Sequence, residues 1–110
     1  MIDFGSTITM EAWNVETKPN LDLNHAWGAV PLNIISRYVL GVTPLEPGFR
    51  RILVKPDLGD LTRVRGVVPT ASGKVRIEAT GDRIEVTVPA PARIVWQGKA
   101  HDVEAGTHAF

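Results

Sequence analysis

The stretch "TRVRGVVPTASGKVRIEATGDRIEVTVP", residues 62–89, alternates short apolar runs with turn residues. In its middle run Val75, Ile77 and Ala79 fall on one face of an extended chain, and charged residues alternate with them. The run after the turn at 81–82 repeats this alternation. Short amphipathic runs joined by turn residues predict antiparallel strands connected by hairpins.

The same texture continues on both sides of this stretch. Before it comes "RRILVKP" (50–56), and after it come "ARIVWQGK" (92–99) and "GTHAF" (106–110). Roughly six strands at short spacing predict an antiparallel β-sandwich. The fold is therefore expected to be mainly β, with residues 47–110 forming the sandwich domain.

A helix is predicted in "NHAWGAVPLNIISRYVLG", residues 24–41. Leu32, Ile35 and Val39 recur at helical spacing. Asn24 suits an N-cap, and Gly41 stands where a helix C-terminal glycine belongs.

Pro31 is discordant inside this helix, because proline removes a hydrogen bond and clashes with the preceding turn. Two interpretations remain open. The helix is kinked, or a short turn at 24–30 precedes a helix that has Pro31 in its first turn.

Composition excludes several classes of function. Formal net charge is zero and the basic residues are scattered, so no nucleic-acid partner is expected. No apolar run approaches the roughly 20 residues of a membrane span, and no cysteine is available for disulfide or thiolate chemistry. The first ten residues lack a signal-peptide pattern. The compartment stays open between periplasm, extracellular space and cytoplasm.

The segment "TMEAWNVETKPNLDLNHAWG", residues 9–28, carries the candidate chemistry. A carboxylate such as Glu11 near an indole such as that of Trp13 is typical of sugar sites, although by residue type alone a surface glutamate is the commoner case. His25 either donates to a sugar hydroxyl or is satisfied by a carbonyl at the helix start. The three histidines lack metal-ligand spacing, so no metal and no cofactor is expected.

The order of these motifs resembles the C-terminal end of bacterial α-L-rhamnosidases of glycoside hydrolase family 78. The resemblance rests on "TITMEAWN", then "LNHAWGAVPLNIISRYVLGVTPLEPGFRRILVKPDLGDL", then "VPTASGKVRIEA". It implies that residues 1–46 are a catalytic loop and the last helix of an (α/α)₆ barrel, ahead of the sandwich. Many members have tryptophan where this chain has Met10.

The resemblance also implies roles for particular residues in an inverting glycosidase. Glu11 corresponds to the general base, Trp13 to a wall of the sugar pocket, and His25 to a residue near the bound rhamnose. The general acid lies on upstream barrel segments. The isolated chain is therefore expected to be an inactive fragment of a rhamnosidase whose partners are the barrel and a rhamnosyl glycan.

Two further expectations concern partners. The apolar helix after Pro31 is expected to pack on its own sandwich or to pair with another copy, giving a homo-oligomer. The rival hypothesis is a non-catalytic β-sandwich module that braces a larger enzyme or binds carbohydrate. Its aromatic candidates in the β-half are Phe49, Trp96 and Phe110.

Overall fold

The structure is a computed structural model that describes Asp3 and residues 5–110. It divides into two compact units, of which one ends at Ile34 and the other comprises Ile35–Phe110. The predicted division into residues 1–46 and 47–110 refers to the domains of a larger enzyme and stays a prediction.

Eight strands form two four-stranded sheets in the larger unit. The first sheet has the order β1-β2-β6-β7 and the second the order β3-β4-β5-β8. The strand bounds are β1 Val42–Pro44, β2 Ile52–Val54, β3 Arg63–Thr70, β4 Gly73–Thr80, β5 Ile84–Val88, β6 Ala92–Trp96, β7 Lys99–Val103 and β8 Gly106–Ala109. The prediction of a mainly β fold is confirmed.

One apolar core lies between the inward faces of both sheets. In β4 and β5 every second residue is buried, as the alternation in the sequence predicts. The core residues come from both sheets and from the segment before them: Leu40, Val42, Ile52, Val54, Val64, Val68, Val75, Ile77, Ala79, Ile84, Val86, Val88, Ala92 and Ile94. Their burial supplies the main force that holds the two sheets together.

The first sheet differs from the prediction in two ways. Its β2–β6 pair is parallel, with Ile52 opposite Ala92, so this sheet is mixed. It also contains β1 and β7, which the sequence did not indicate. β1 is only three residues long and ends in proline, and β7 is mostly polar, so neither gives a clear alternating signal.

The predicted helix is a succession of three short helical segments. A 3₁₀ turn at Ala26–Ala29 is followed by α1, Val30–Ile34, and by a π-helical turn at Ile35–Val39. Pro31 lies in the first turn of α1, so the second of the two interpretations is correct. In the described part of the chain, no helix combines the length and the apolar character that crossing a membrane requires.

Gly41 ends the π-helical turn in the left-handed conformation, with φ +68°. A β-carbon at this position would overlap the carbonyl of Lys55. The Lys55 N–H donates to the Gly41 carbonyl oxygen at 2.9 Å, so the backbone passes very close to β2 here. Glycine is required at this junction for both reasons.

Candidate active-site segment

Two stretches of backbone are hydrogen-bonded to each other within the smaller unit. The His25 N–H donates to the Thr9 carbonyl oxygen at 3.0 Å, and the Glu11 N–H donates to the Asp22 carbonyl oxygen at 3.0 Å. The loop between them contains a tight turn in which the Leu21 N–H donates to the Lys18 carbonyl oxygen at 3.1 Å. This pairing brings residues that are 11 and 16 positions apart onto neighbouring stretches of chain.

The side chain of Asn24 adds hydrogen bonds to this backbone pairing. Its Oδ1 accepts from the Thr7 N–H at 2.8 Å, from the Thr7 hydroxyl at 3.2 Å and from the Ile8 N–H at 3.3 Å. The predicted N-cap role is wrong: His25 occupies the cap position of the 3₁₀ turn, and no side chain caps it. Asn24 instead holds Thr7 and Ile8 at the start of the loop that carries Glu11.

Gly28 makes close packing of the two stretches possible. Its N–H donates to the His25 carbonyl oxygen at 2.9 Å. A β-carbon on Gly28 would overlap the side chain of Thr9. The asparagine and the glycine of "NHAWG" therefore both position the loop that carries Glu11.

The Glu11 carboxylate is held through both oxygens. Oε1 accepts from the ammonium of Lys18, and Oε2 accepts from the backbone N–H of Asp22 at 3.1 Å. The side chain is 23% exposed, so it is not sealed from solvent. A carboxylate that is fixed but reachable by water has the geometry that a general base needs.

These contacts favour the charged form of Glu11. The hydrogen bond from Lys18 lowers the pKa of Glu11 most, the backbone N–H of Asp22 lowers it further, and partial burial opposes both. Glu11 is therefore a carboxylate throughout the neutral pH range. It suits the acceptance of a proton and not its donation.

His25 lies beside the same cluster. Its Nδ1 is 3.5 Å from Oδ2 of Asp22, and its ring meets the Trp27 ring edge-on, with centroids 6.2 Å apart. The structure thus brings Glu11 and His25, two of the three predicted site residues, into one small region.

Possible ligand atoms of Glu11, Asp22 and His25 lie within 4.8 Å of one another. The cation in contact with this group is the ammonium of Lys18, which already occupies Oε1 of Glu11. Exposed acidic groups often cluster without an ion.

Trp13 and Trp27 both present their indoles to solvent. Trp13 is 97% exposed and Trp27 is 84% exposed. Indoles exposed in this way are available for contact with a ligand or with another part of a protein. The sequence predicts Trp13 as a site residue but not Trp27. The signal that could have indicated Trp27 is its position two residues after His25.

Comparison with known proteins assigns the larger unit to a family. The sequence profile described as the bacterial alpha-L-rhamnosidase C-terminal domain matches residues 41–97, which is more than half of the chain. The chain belongs to this family. The match lies in the larger unit, from the glycine that ends the π-helical turn to the residue after β6.

Relatives extend the likeness beyond this domain. An alpha-L-rhamnosidase of Alteromonas sp. (strain LOR) is 29% identical over 84% of this chain. The solved alpha-L-rhamnosidase of Aspergillus terreus superposes with a TM-score of 0.79 at 23% identity over 99% of the chain, and that of Streptomyces avermitilis, complexed with L-rhamnose, with 0.75 at 20% over 99%. The solved structures establish the shared fold.

The chain spans only a small part of these relatives. It covers 11% of the Alteromonas protein and 15% and 14% of the two solved chains. The chain thus corresponds to one section of much longer proteins.

Proposed function

We propose that this chain is the C-terminal part of an α-L-rhamnosidase that removes terminal α-L-rhamnosyl residues with inversion. The observation that carries the proposal is the Glu11 carboxylate, ionised and held by two donors, in a chain of the rhamnosidase C-terminal family. The fully exposed indole of Trp13 close in sequence supports it.

In this proposal Glu11 is the general base. It takes a proton from water while the water oxygen bonds to the anomeric carbon. The bond from that carbon to the glycosidic oxygen breaks, and a general acid outside this chain protonates the leaving oxygen. Inverting enzymes separate the two carboxyl groups by roughly 6.5–9.5 Å to admit the water. With one of the two groups present, the isolated chain is expected to be inactive.

His25 and Trp13 are proposed to bind the sugar. The His25 ring is partly buried and lies within reach of the Glu11 cluster, so it can hydrogen-bond a hydroxyl of the rhamnose that Glu11 serves. The Trp13 indole offers an apolar face of the kind that packs on the C–H face of a pyranose.

The proposed partner within the enzyme is an upstream (α/α)₆ barrel. It would cover the apolar side chains of α1 that face solvent in this chain, namely Val30, Leu32 and Ile34. In the isolated chain a second copy would cover them, which gives the predicted homo-oligomer. Leu32→Ser should then shift the chain toward monomer in sedimentation velocity, whereas Val67→Ser, an exposed valine of β3, should not.

The decisive experiment replaces Glu11 in the full-length enzyme. Glu11→Gln keeps the shape and removes the basicity, so kcat on an aryl α-L-rhamnoside should fall about 10²-fold or more with little change in KM. Glu16→Gln, in the same loop and exposed, is the control. NMR of the first-formed rhamnose should show the β anomer, and retention of the α anomer would contradict inversion.

The alternative is a non-catalytic module that braces a larger enzyme. The three aromatics of the β-half, Phe49, Trp96 and Phe110, pack against the core, which favours bracing over sugar binding. A loss of less than about tenfold in the Glu11→Gln enzyme would favour this alternative.

A further inference from the structure

Lys18 is the residue of the catalytic loop whose position the proposed mechanism leaves unexplained. Its ammonium contacts Oε1 of Glu11 from the far end of the loop. The Asp22 N–H reaches the other oxygen, Oε2, at 3.1 Å. The two donors bracket the carboxylate from two sides and fix its plane as well as its position.

Stability does not account for this contact. The Lys18 side chain is 40% exposed, and an ion pair at such a surface contributes little to the free energy of folding because solvent screens it and the lysine loses side-chain entropy. The electrostatic effect falls on the partner instead. A neighbouring positive charge favours the ionised carboxylate.

We infer that Lys18 is a positioning residue for the general base, one that keeps Glu11 ionised and oriented toward the attacking water. The inference rests on the proposed function of Glu11. Because each carboxylate oxygen carries two lone pairs, one donor on each oxygen leaves a lone pair free for the water proton. After proton transfer the neutral acid loses its attraction to the ammonium, so Lys18 also favours release of that proton and return to the starting state.

The pH dependence follows from the charges around Glu11. Lys18 and the backbone of Asp22 favour the carboxylate, His25 does so when protonated, and the Asp22 side chain pairs with His25. A base with a lowered pKa keeps its activity to lower pH. Removing Lys18 should therefore move the acid limb of kcat/KM, which reports groups of the free enzyme, to higher pH.

The test is a pH profile of kcat/KM for the full-length enzyme with Lys18→Met and Lys18→Arg. Lys18→Met should move the acid limb to higher pH, and activity on that limb should fall several-fold more than on the plateau. Lys18→Arg should restore the limb, because arginine keeps the charge and the donors. Lys74→Met, which removes an exposed lysine of β4, should leave it in place.

The outcomes separate the two proposals. Full activity of Glu11→Gln overturns the proposed function and this inference with it. An inactive Glu11→Gln enzyme together with an unshifted limb in Lys18→Met overturns the inference alone, as does an equal loss at every pH. If Lys18→Met fails to fold in the enzyme, the Glu11 carboxyl is titrated by carbon-13 NMR in this chain, where an unchanged pKa in Lys18→Met overturns the inference.

Discussion

The backbone N–H of His25 donates to the carbonyl oxygen of Thr9 at 3.0 Å, and this bond sets the register of the loop at residues 9–25. In that register Glu11 pairs with Asp22 and receives a second donor for its carboxylate. The two predicted site residues Glu11 and His25 meet because the chain between them folds back on itself. Their proximity therefore depends on the backbone pairing within this loop.

The side chain of Asn24 should be required to hold the start of the loop in place. Asn24→Ala removes an acceptor that serves three donors, so the amide protons of Thr7 and Ile8 should lose protection from hydrogen exchange. In the full enzyme kcat should fall although Glu11 is intact. Asn24→Asp keeps the acceptor and should behave much more like the parent. Unchanged exchange at Thr7 in Asn24→Ala would contradict the role.

Gly41 should be required for the stability of the sandwich. Gly41→Ala places a methyl group against the Lys55 carbonyl at a positive φ, so the free energy of unfolding should drop by about 2–4 kcal/mol. Gly81→Ala is the matched control, because open space surrounds Gly81 and its φ is not positive. Urea denaturation measures both. Equal midpoints for the two variants would show that the backbone at 41 adapts.

The fold was predictable to the extent that its signals are local. Alternation along β4 and β5 requires only neighbouring residues, and the proline and glycine of the helical region act within one turn. The parallel β2–β6 pair was not predictable, because it joins residues 40 positions apart through backbone atoms that carry no sequence pattern.

The candidate site likewise contains residues that the sequence indicates and residues that it does not. Glu11, Trp13 and His25 stand in short recognisable motifs, so the sequence could indicate them. Lys18 gave no signal, because a lysine in a polar loop is ordinarily solvated and only the folded loop brings its ammonium to Glu11. The N-cap prediction for Asn24 is wrong because the partners of its side chain lie 16 and 17 positions earlier in the chain, beyond the reach of a local capping rule.

Asp102 should make part of the stability of the first sheet depend on pH. It accepts two hydrogen bonds from Arg93 and one from Arg51 at 2.8–2.9 Å. The bond from Arg93 contributes most to lowering the pKa of Asp102, to about 2. The stabilisation is therefore present above the unfolded-state pKa of about 3.9 and is lost as pH falls through about 2.

Thermal unfolding across this range provides the measurement. Asp102→Asn should lower Tm at pH 7 and should approach the parent as pH falls from about 4 to 2. High salt should also narrow the difference, because these side chains are half exposed. Asp60→Asn, at an exposed turn, should show no such trend. A Tm difference that stays constant with pH would rule out linkage through Asp102.

Variants of Trp13 should distinguish a contact with substrate from a structural contact. Its side chain is 97% exposed, so Trp13→Ala should change the free energy of unfolding of this chain by less than about 0.5 kcal/mol. In the full enzyme the same variant should raise KM for an aryl α-L-rhamnoside about tenfold, which corresponds to roughly 1.4 kcal/mol of lost stacking. Trp13→Phe retains an aromatic face and should show a smaller rise. If Trp13→Ala instead lowers expression or Tm of the full enzyme while KM is unchanged, the indole packs against the rest of the enzyme and does not form a wall of the sugar pocket.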